Sequence, residues 1–252
     1  HQSGEGRSRT NIGLPGLQFE LLKEIKKVNH NIILVTMSGR PLDLTWEDKN
    51  IPAIVQAWHL GSKSGDAIAQ VLYGDYNPSG KLTMSFPRNV GQVPIYYNYK
   101  NTGRPSTSID QVTNSGYADV ENSPLYSFGF GLSYTSFEYS DFKIDTNSMT
   151  KDSKINASIA VKNTGEYAGK EVVQLYLRDI VGSIARPMKE LKGFEMIELN
   201  PGETKTVTFE IDNSLLEFYS FNKVWESEPG KFHLFIGSSS DVKDYKEFYL
   251  KD

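Results

Sequence analysis

Residues 154–179 read KINASIAVKNTGEYAGKEVVQLYLRD. Ile155, Ala157, Ile159 and Val161 alternate with Asn156, Ser158, Ala160 and Lys162. That period of two marks a strand with one face turned to a core and one to water. Asn163-Thr164-Gly165 supplies a turn, and a second stretch rich in β-branched and aromatic residues follows it. Two such segments separated by turn residues are the unit from which antiparallel sheets are built.

The same pattern extends outward. FEYSDFKI (137–144), TKTVTFEID (204–212) and KFHLFIG (231–237) repeat the alternation, with NPGE (200–203) and EPGK (228–231) as further turns. About seven short strands in roughly 115 residues, without a helical stripe, predict an all-β sandwich. Cysteine is absent. The fibronectin-type version is therefore expected, because the immunoglobulin version carries a paired Cys. Charge clusters such as KDYKE (243–247) read as solvated strand faces.

Upstream the pattern changes. Leu17, Leu21, Ile25 and Val28 recur at helical spacing after Pro15, with Lys23, Glu24, Lys26 and Lys27 on the opposite side. NIILVTMSG (31–39) and AIVQAW (53–58) are continuous apolar runs, expected as strands buried on both faces. DAIAQVLYG (66–74) predicts a helix with Ser64 as N-cap and Gly74 as its stop. Alternating helices and strands imply a partial α/β sandwich domain with a parallel sheet, followed by the β-sandwich. The expected boundaries are 1–97 for the α/β part, 98–135 for a long loop or strap, and 136–252 for the fibronectin-like part. Two or three strands are few for such a sheet, so the first half reads as truncated.

The remaining composition sets limits. A net charge of -4 offers no basic field for nucleic acid. The apolar runs are too short to cross a bilayer as helices. No cysteine chemistry is available, and the four histidines (His1, His30, His59 and His233) show no ligand spacing, so neither metal nor cofactor is expected.

Three places invite chemistry. SGEGRSR (3–9) puts Glu5 between two glycines beside Arg7 and Arg9, which reads as a flexible tail, a weak phosphate cradle or a mobile acid/base carboxyl. Trp58 and His59 end an apolar run and are either packing residues or a sugar-facing aromatic at the carboxyl end of a parallel strand. PIYYNYKNTGRP (94–105) and PLYSFGFGLSYTSFEY (124–139) are dense in aromatics, read as interdomain glue ahead of a carbohydrate platform.

Several segments together carry a resemblance. SGEGRSR, LVTMSGRPLDL, the run AWHLGSKSGDAIAQVLYGDYNPSGKLTMSFP, PLYSFGFGLSYTSFEYSD, RPMKELKGFEMIELNPGET and EPGKFHLFIG resemble the carboxyl-terminal portion of glycoside hydrolase family three β-glucosidases, most closely the bacterial periplasmic type. The resemblance covers essentially the whole chain. It implies an exo-acting, retaining hydrolase of terminal β-D-glucosyl residues, periplasmic or secreted, with an N-terminal (β/α)8 barrel, an α/β sandwich domain and a fibronectin-like domain. The family's acid/base glutamate falls on Glu5, and Arg9 and Trp58 are the substrate-binding candidates. Ser8 stands where the family motif GEGxDR has aspartate. The nucleophilic aspartate would lie on the barrel, which is not among these residues. The expected partners are a β-glucoside or oligosaccharide and that missing barrel, and the chain alone is expected to be inactive. Self-association through an open sheet edge is also expected. The alternative is a structural or carbohydrate-binding module.

Overall fold

A computed structural model of the chain describes residues 6–105 and 113–252. They divide into two compact units. The first holds residues 6–76, 84–95 and 113–126, and the second holds Asn77–Thr83, Tyr96–Pro105 and Ser127–Asp252. The stretch read as a strap is thus shared between them, together with a short piece of the preceding segment.

The first unit begins with helix α1 (Gln18–Val28), strand β1 (Ile33–Thr36), helix α2 (Thr45–Asn50), strand β2 (Ala53–Gln56) and helix α3 (Ser64–Tyr73). β1 and β2 pair in parallel, Ile33 opposite Ala53 and Thr36 opposite Gln56. Gly74 closes α3 in the left-handed region at φ 83°, where glycine avoids the Cβ clash. Ser64 is not the N-cap. A 3-10 turn over Gly61–Lys63 runs straight into the helix, Lys63 takes the cap position, and no side chain caps it.

Two further expectations are corrected here. The apolar stripe of α1 is uncovered: Leu17, Leu21, Ile25 and Val28 are 80%, 59%, 39% and 86% exposed, while Leu22 is only 7% exposed. β1 and β2 are not buried on both faces either; of their residues only Thr36 is fully buried. Periodicity reports which face seeks an apolar neighbour, and among the described residues nothing covers that face.

The second unit is the predicted sandwich. Strands β3 (Phe137–Ile144), β4 (Ser148–Met149), β5 (Ile155–Asn163), β6 (Gly169–Asp179), β7 (Glu190–Leu199) and β8 (Thr204–Ile211) lead to the one-turn helix α4 (Asn213–Leu216). β9 (Phe218–Tyr219), β10 (Trp225–Glu226), β11 (Gly230–Gly237) and β12 (Lys246–Leu250) complete it. A five-stranded sheet ordered β4-β12-β11-β6-β7 faces a three-stranded sheet ordered β3-β5-β8. Alternate residues meet between them, among them Ile155, Ile159 and Val161 from β5, Val173, Leu175 and Leu177 from β6, and Phe232, Leu234 and Ile236 from β11.

β6 is buried on its outer face as well. Tyr97 stacks on Phe128 with centroids 4.2 Å apart and meets the buried Tyr176 edge-on at 6.1 Å. Its hydroxyl accepts from the Leu191 amide at 3.2 Å. Gly129, at φ 80°, lies so close to Gln174 that a Cβ would fall 2.1 Å from Oε1, and a Cβ on Gly131 would fall 2.3 Å from the Gly80 carbonyl. The glycines of the GFG stretch are therefore steric requirements. Lys81 anchors the same layer through both oxygens of the buried Glu171, at 3.0 and 3.1 Å, while Tyr139 donates to Glu171 at 2.8 Å.

Lys189 donates to the carbonyls of Ser240 (2.9 Å) and Val242 and sits 4.4 Å from the Phe235 ring centre. Burial nevertheless pushes its amine down to about 8.

Two tests follow from these placements. Leu22→Ala should cost about 2–5 kcal/mol as a core truncation, whereas Leu21→Glu should change stability by less than about 0.5 kcal/mol; a large loss in the second would mean that its face is covered. For Lys189, the unfolded chain keeps the proton above pH 8 while the folded state releases it, so stability rises with pH from about 8 toward the ordinary lysine range of about 10.4. Above about pH 10 the trend reverses, because unfolded phenols ionise while burial keeps Tyr139 and Tyr176 protonated. Urea midpoints at pH 7.5 and 9.5 should show the rise in the native chain and a smaller one in Lys189→Met.

Candidate functional site

Parallel strands end at the same side of their sheet, and the loops beyond their carboxyl ends are where α/β proteins hold ligands. In the first unit those loops are Met37-Ser38-Gly39-Arg40 after β1 and Ala57-Trp58-His59 after β2. The Ala57 amide donates to the Thr36 carbonyl at 2.8 Å, extending the ladder one step beyond the strands.

A chain of polar side chains then ties the two loops together. Buried Thr36 donates to Gln56 Oε1 at 2.5 Å, Gln56 Nε2 donates to Ser38 Oγ at 3.1 Å, and Ser38 Oγ donates to the Arg40 carbonyl at 2.8 Å. The Arg40 guanidinium turns to the opening segment. Its Nη1 donates to Ser8 Oγ at 3.1 Å and its Nη2 to the Arg9 carbonyl. Three residues further on, the Asp43 amide donates to the Ile12 carbonyl at 3.1 Å. The segment carrying Ser8 and Arg9 is thereby fastened along the loop that leaves β1.

Trp58 occupies this corner from the β2 side. Its φ is 50°, in the left-handed region that bulky residues seldom adopt. Such strain persists only where surrounding contacts hold it. The contact here is Phe86, fully buried, whose ring meets the indole edge-on at 5.9 Å and lies 5.9 Å from Tyr126. Trp58 remains half-buried. His59 is exposed, and its Nε2 would lie 2.9 Å from a Cβ on Gly39. The two loops therefore approach each other at Gly39 and His59.

Glu47 of α2 is buried, and desolvation raises its carboxyl above the ordinary range, with Asp43 adding to the effect. Asp48 on the same helix accepts from the Tyr126 hydroxyl at 2.7 Å.

Of the residues singled out from sequence, Arg9 and Trp58 both lie at this corner, Arg9 through its backbone and Trp58 through its ring. Glu5 lies outside the described residues; Gly6, the next residue, is exposed with φ 70°. Sequence reasoning passed over Arg40, Gln56 and Ser38. The available signal was position: Gln56 ends an apolar strand, and Ser38 and Arg40 follow one in a glycine-containing turn.

Comparison with known proteins shows what the chain as a whole is similar to. Residues 1–134 match the glycosyl hydrolase family 3 C-terminal domain, and residues 171–240 match a fibronectin type III-like domain. The periplasmic β-glucosidase of Salmonella typhimurium is 49% identical over 237 residues, covering 94% of this chain and 31% of that protein. A β-xylosidase of Formosa agariphila is 42% identical over 251 residues, covering 98% of this chain and 33% of its own length. The crystal structure of a β-glucosidase from Listeria innocua in complex with glucose superposes with a TM-score of 0.93 at 38% identity, covering 99% of this chain and 35% of that one. The chain thus spans about a third of the length of these relatives.

The fastening role of Arg40 is testable. Arg40→Ala should release Ser8 and Arg9, seen as faster amide hydrogen exchange and earlier tryptic cleavage after Arg7 and Arg9. The loss in global stability should stay within about 1–3 kcal/mol, as for hydrogen bonds to a charged group. Unchanged exchange there would show that the segment is held by other contacts.

Proposed function

The chain belongs to glycoside hydrolase family 3, and on that premise we propose that it supplies the acid/base half of a retaining, exo-acting β-glycosidase site. What supports this is the fastening of the segment after Glu5 to the carboxyl end of β1, next to a strained and accessible Trp58.

Retention of configuration needs two carboxyls about 5 Å apart, one nucleophilic and one proton-donating. The nucleophile is an aspartate outside these 252 residues, on a barrel domain. It attacks the anomeric carbon, and the glycosidic C–O bond breaks as Glu5 gives its proton to the departing oxygen. A water then attacks the glycosyl-enzyme while Glu5, now ionised, takes the water's proton, which restores both carboxyls. For the first step Glu5 must be protonated at working pH, which the negative nucleophile and exclusion of water accomplish together.

The Trp58 ring offers a flat apolar surface to the carbon-bound hydrogens of a pyranose. The Arg9 guanidinium offers donors to its hydroxyls. β-Glucosides are the substrates proposed first; relatives named β-xylosidases make β-xylosides the neighbouring class. A periplasmic or secreted location follows the Salmonella relative's name. The uncovered stripe of α1 fits a further layer of the α/β domain on polypeptide outside these residues, and in the isolated chain the same face favours self-association.

The purified chain alone should therefore not hydrolyse aryl β-glucosides. When these residues are joined to the barrel, Glu5→Gln should lower kcat/KM on alkyl glucosides by about 10²–10⁴. It should spare far more of the glycosylation step on a dinitrophenyl glucoside, whose leaving group departs without a proton. Full activity in Glu5→Gln on both substrates would assign the proton transfer elsewhere.

A further inference from the structure

Strand β7 is an outer strand of the five-stranded sheet. It pairs with β6 on one side and, among the described residues, with no strand on the other. An open strand edge presents unpaired N–H and C=O groups, a template for one more strand. The start of this edge is covered. The Met188 amide donates to the Tyr99 carbonyl at 2.9 Å, Lys100 forms an isolated antiparallel bridge with Pro187, and the Leu191 amide donates to the Tyr97 hydroxyl at 3.2 Å. Between Leu191 and Leu199 the described residues provide one such contact: Lys205 donates to the Glu198 carbonyl at 2.6 Å.

A short or uniformly charged edge resists further pairing. The middle of β7 is neither. Phe194 and Met196 are 68% and 56% exposed, on the sheet face they share with Gln174 and Val172 of β6. Apolar side chains at alternate positions of an unpaired strand form a row that a matching row can bury.

The order of residues along β7 matches a second copy of itself. Antiparallel pairing about a two-fold axis at Glu195 sets Phe194 opposite Met196 of the other copy and Lys192 opposite its Glu198, and symmetry makes each pair twice. Neighbouring registers lose this match. With the axis at Met196, Phe194 meets Glu198 and Lys192 meets Asn200; with the axis at Phe194, Lys192 meets Met196 and Glu198 meets Glu190. The other charges along the edge fit the first register. Lys170 of β6 stands opposite Glu198, so per copy Lys170 and Lys192 balance Glu195 and Glu198. Lys205 pairs with Glu203 at 3.4 Å, and Glu190, held by Arg186 at 2.8 Å, lies beyond the paired stretch. The unfavourable contact is Glu195 facing its own copy across the axis.

We propose that β7 is a self-recognition edge: two copies of this chain pair their β7 strands antiparallel about Glu195 and join their five-stranded sheets into one. This edge belongs to the fibronectin-like unit, whereas the α1 stripe belongs to the α/β unit.

The test uses the whole 252-residue chain carrying Leu21→Glu, so that the α1 face contributes little to association. The chain has no cysteine, so Glu195→Cys gives each copy a single thiol. Directly opposed residues of an antiparallel pair are close to the Cβ spacing that a disulfide needs. Mild oxidation should therefore link Glu195→Cys into a dimer on a non-reducing gel. Glu138→Cys, exposed on the outer strand β3 of the other sheet, should stay monomeric. In sedimentation velocity, Lys192→Glu should weaken the dimer by about tenfold, and adding Glu198→Lys should restore it, because both ion pairs re-form with their signs exchanged. Glu195→Gln should tighten it by up to about fivefold, since opposed like charges are removed. The proposal falls if Glu195→Cys links no more than Glu138→Cys does, or if the charge-exchanged double variant stays as weak as Lys192→Glu. It also falls if joining these residues to the barrel abolishes the link, which would make the barrel the occupant of the edge.

Discussion

Parallel pairing of Ile33–Thr36 with Ala53–Gln56 is the constraint from which the proposed chemistry follows. Because the two strands run the same way in register, their exit loops emerge together, and residues twenty positions apart become neighbours. The backbone ladder ends at Ala57, and beyond it side chains take over the pairing. Thr36, Gln56 and Ser38 pass hydrogen bonds from one loop to the other, and Arg40 carries the connection to Ser8 and Arg9. The carboxyl proposed as acid/base precedes this segment, so it needs a fixed root. Here the root is held by a guanidinium, whose fixed fork of donors reaches a hydroxyl and a carbonyl at once.

The fibronectin-like unit is assembled by a different logic. Its core follows from strand alternation, but its outer face is finished by segments distant in sequence. Tyr97 and Phe128 cover Tyr176, and Lys81 reaches the buried Glu171. Burying a carboxylate is tolerable only when its partners stay in place; removing one leaves an uncompensated charge in a low-dielectric site. The motifs that made the chain recognisable, GDYNPSGKL and LYSFGFGLSY, are the pieces that supply this covering. Close approach explains Gly129 and Gly131, the left-handed backbone explains Gly74, and charge pairing explains Lys81.

At the corner beyond β1 and β2, Thr36, Gln56, Ser38 and Arg40 find hydrogen-bond partners within the chain. In the loop after β6, Arg186 lies 3.3 Å from the buried Asp179 and holds Glu190 at 2.8 Å. Both clusters are organised by side chains that the fold itself brings together.

Local pattern alone determined the elements: the alternation in β3, β5, β6, β8 and β11, the helix closed by Gly74, and the two-part order of α/β followed by all-β. These rest on periods of 2 and 3.6 and on backbone preferences of single residues, which neighbours in sequence carry by themselves. The family motif likewise pointed to Glu5 and Arg9 before any coordinates, and the end of an apolar run pointed to Trp58. Tertiary structure alone decided that the α1 stripe stays uncovered, that Lys63 rather than Ser64 precedes α3, that β6 is buried on both faces, and that Arg40 joins the opening segment to β1. Each of these depends on which surfaces meet across long stretches of chain, and a side chain's character says what it seeks without saying whether it is found.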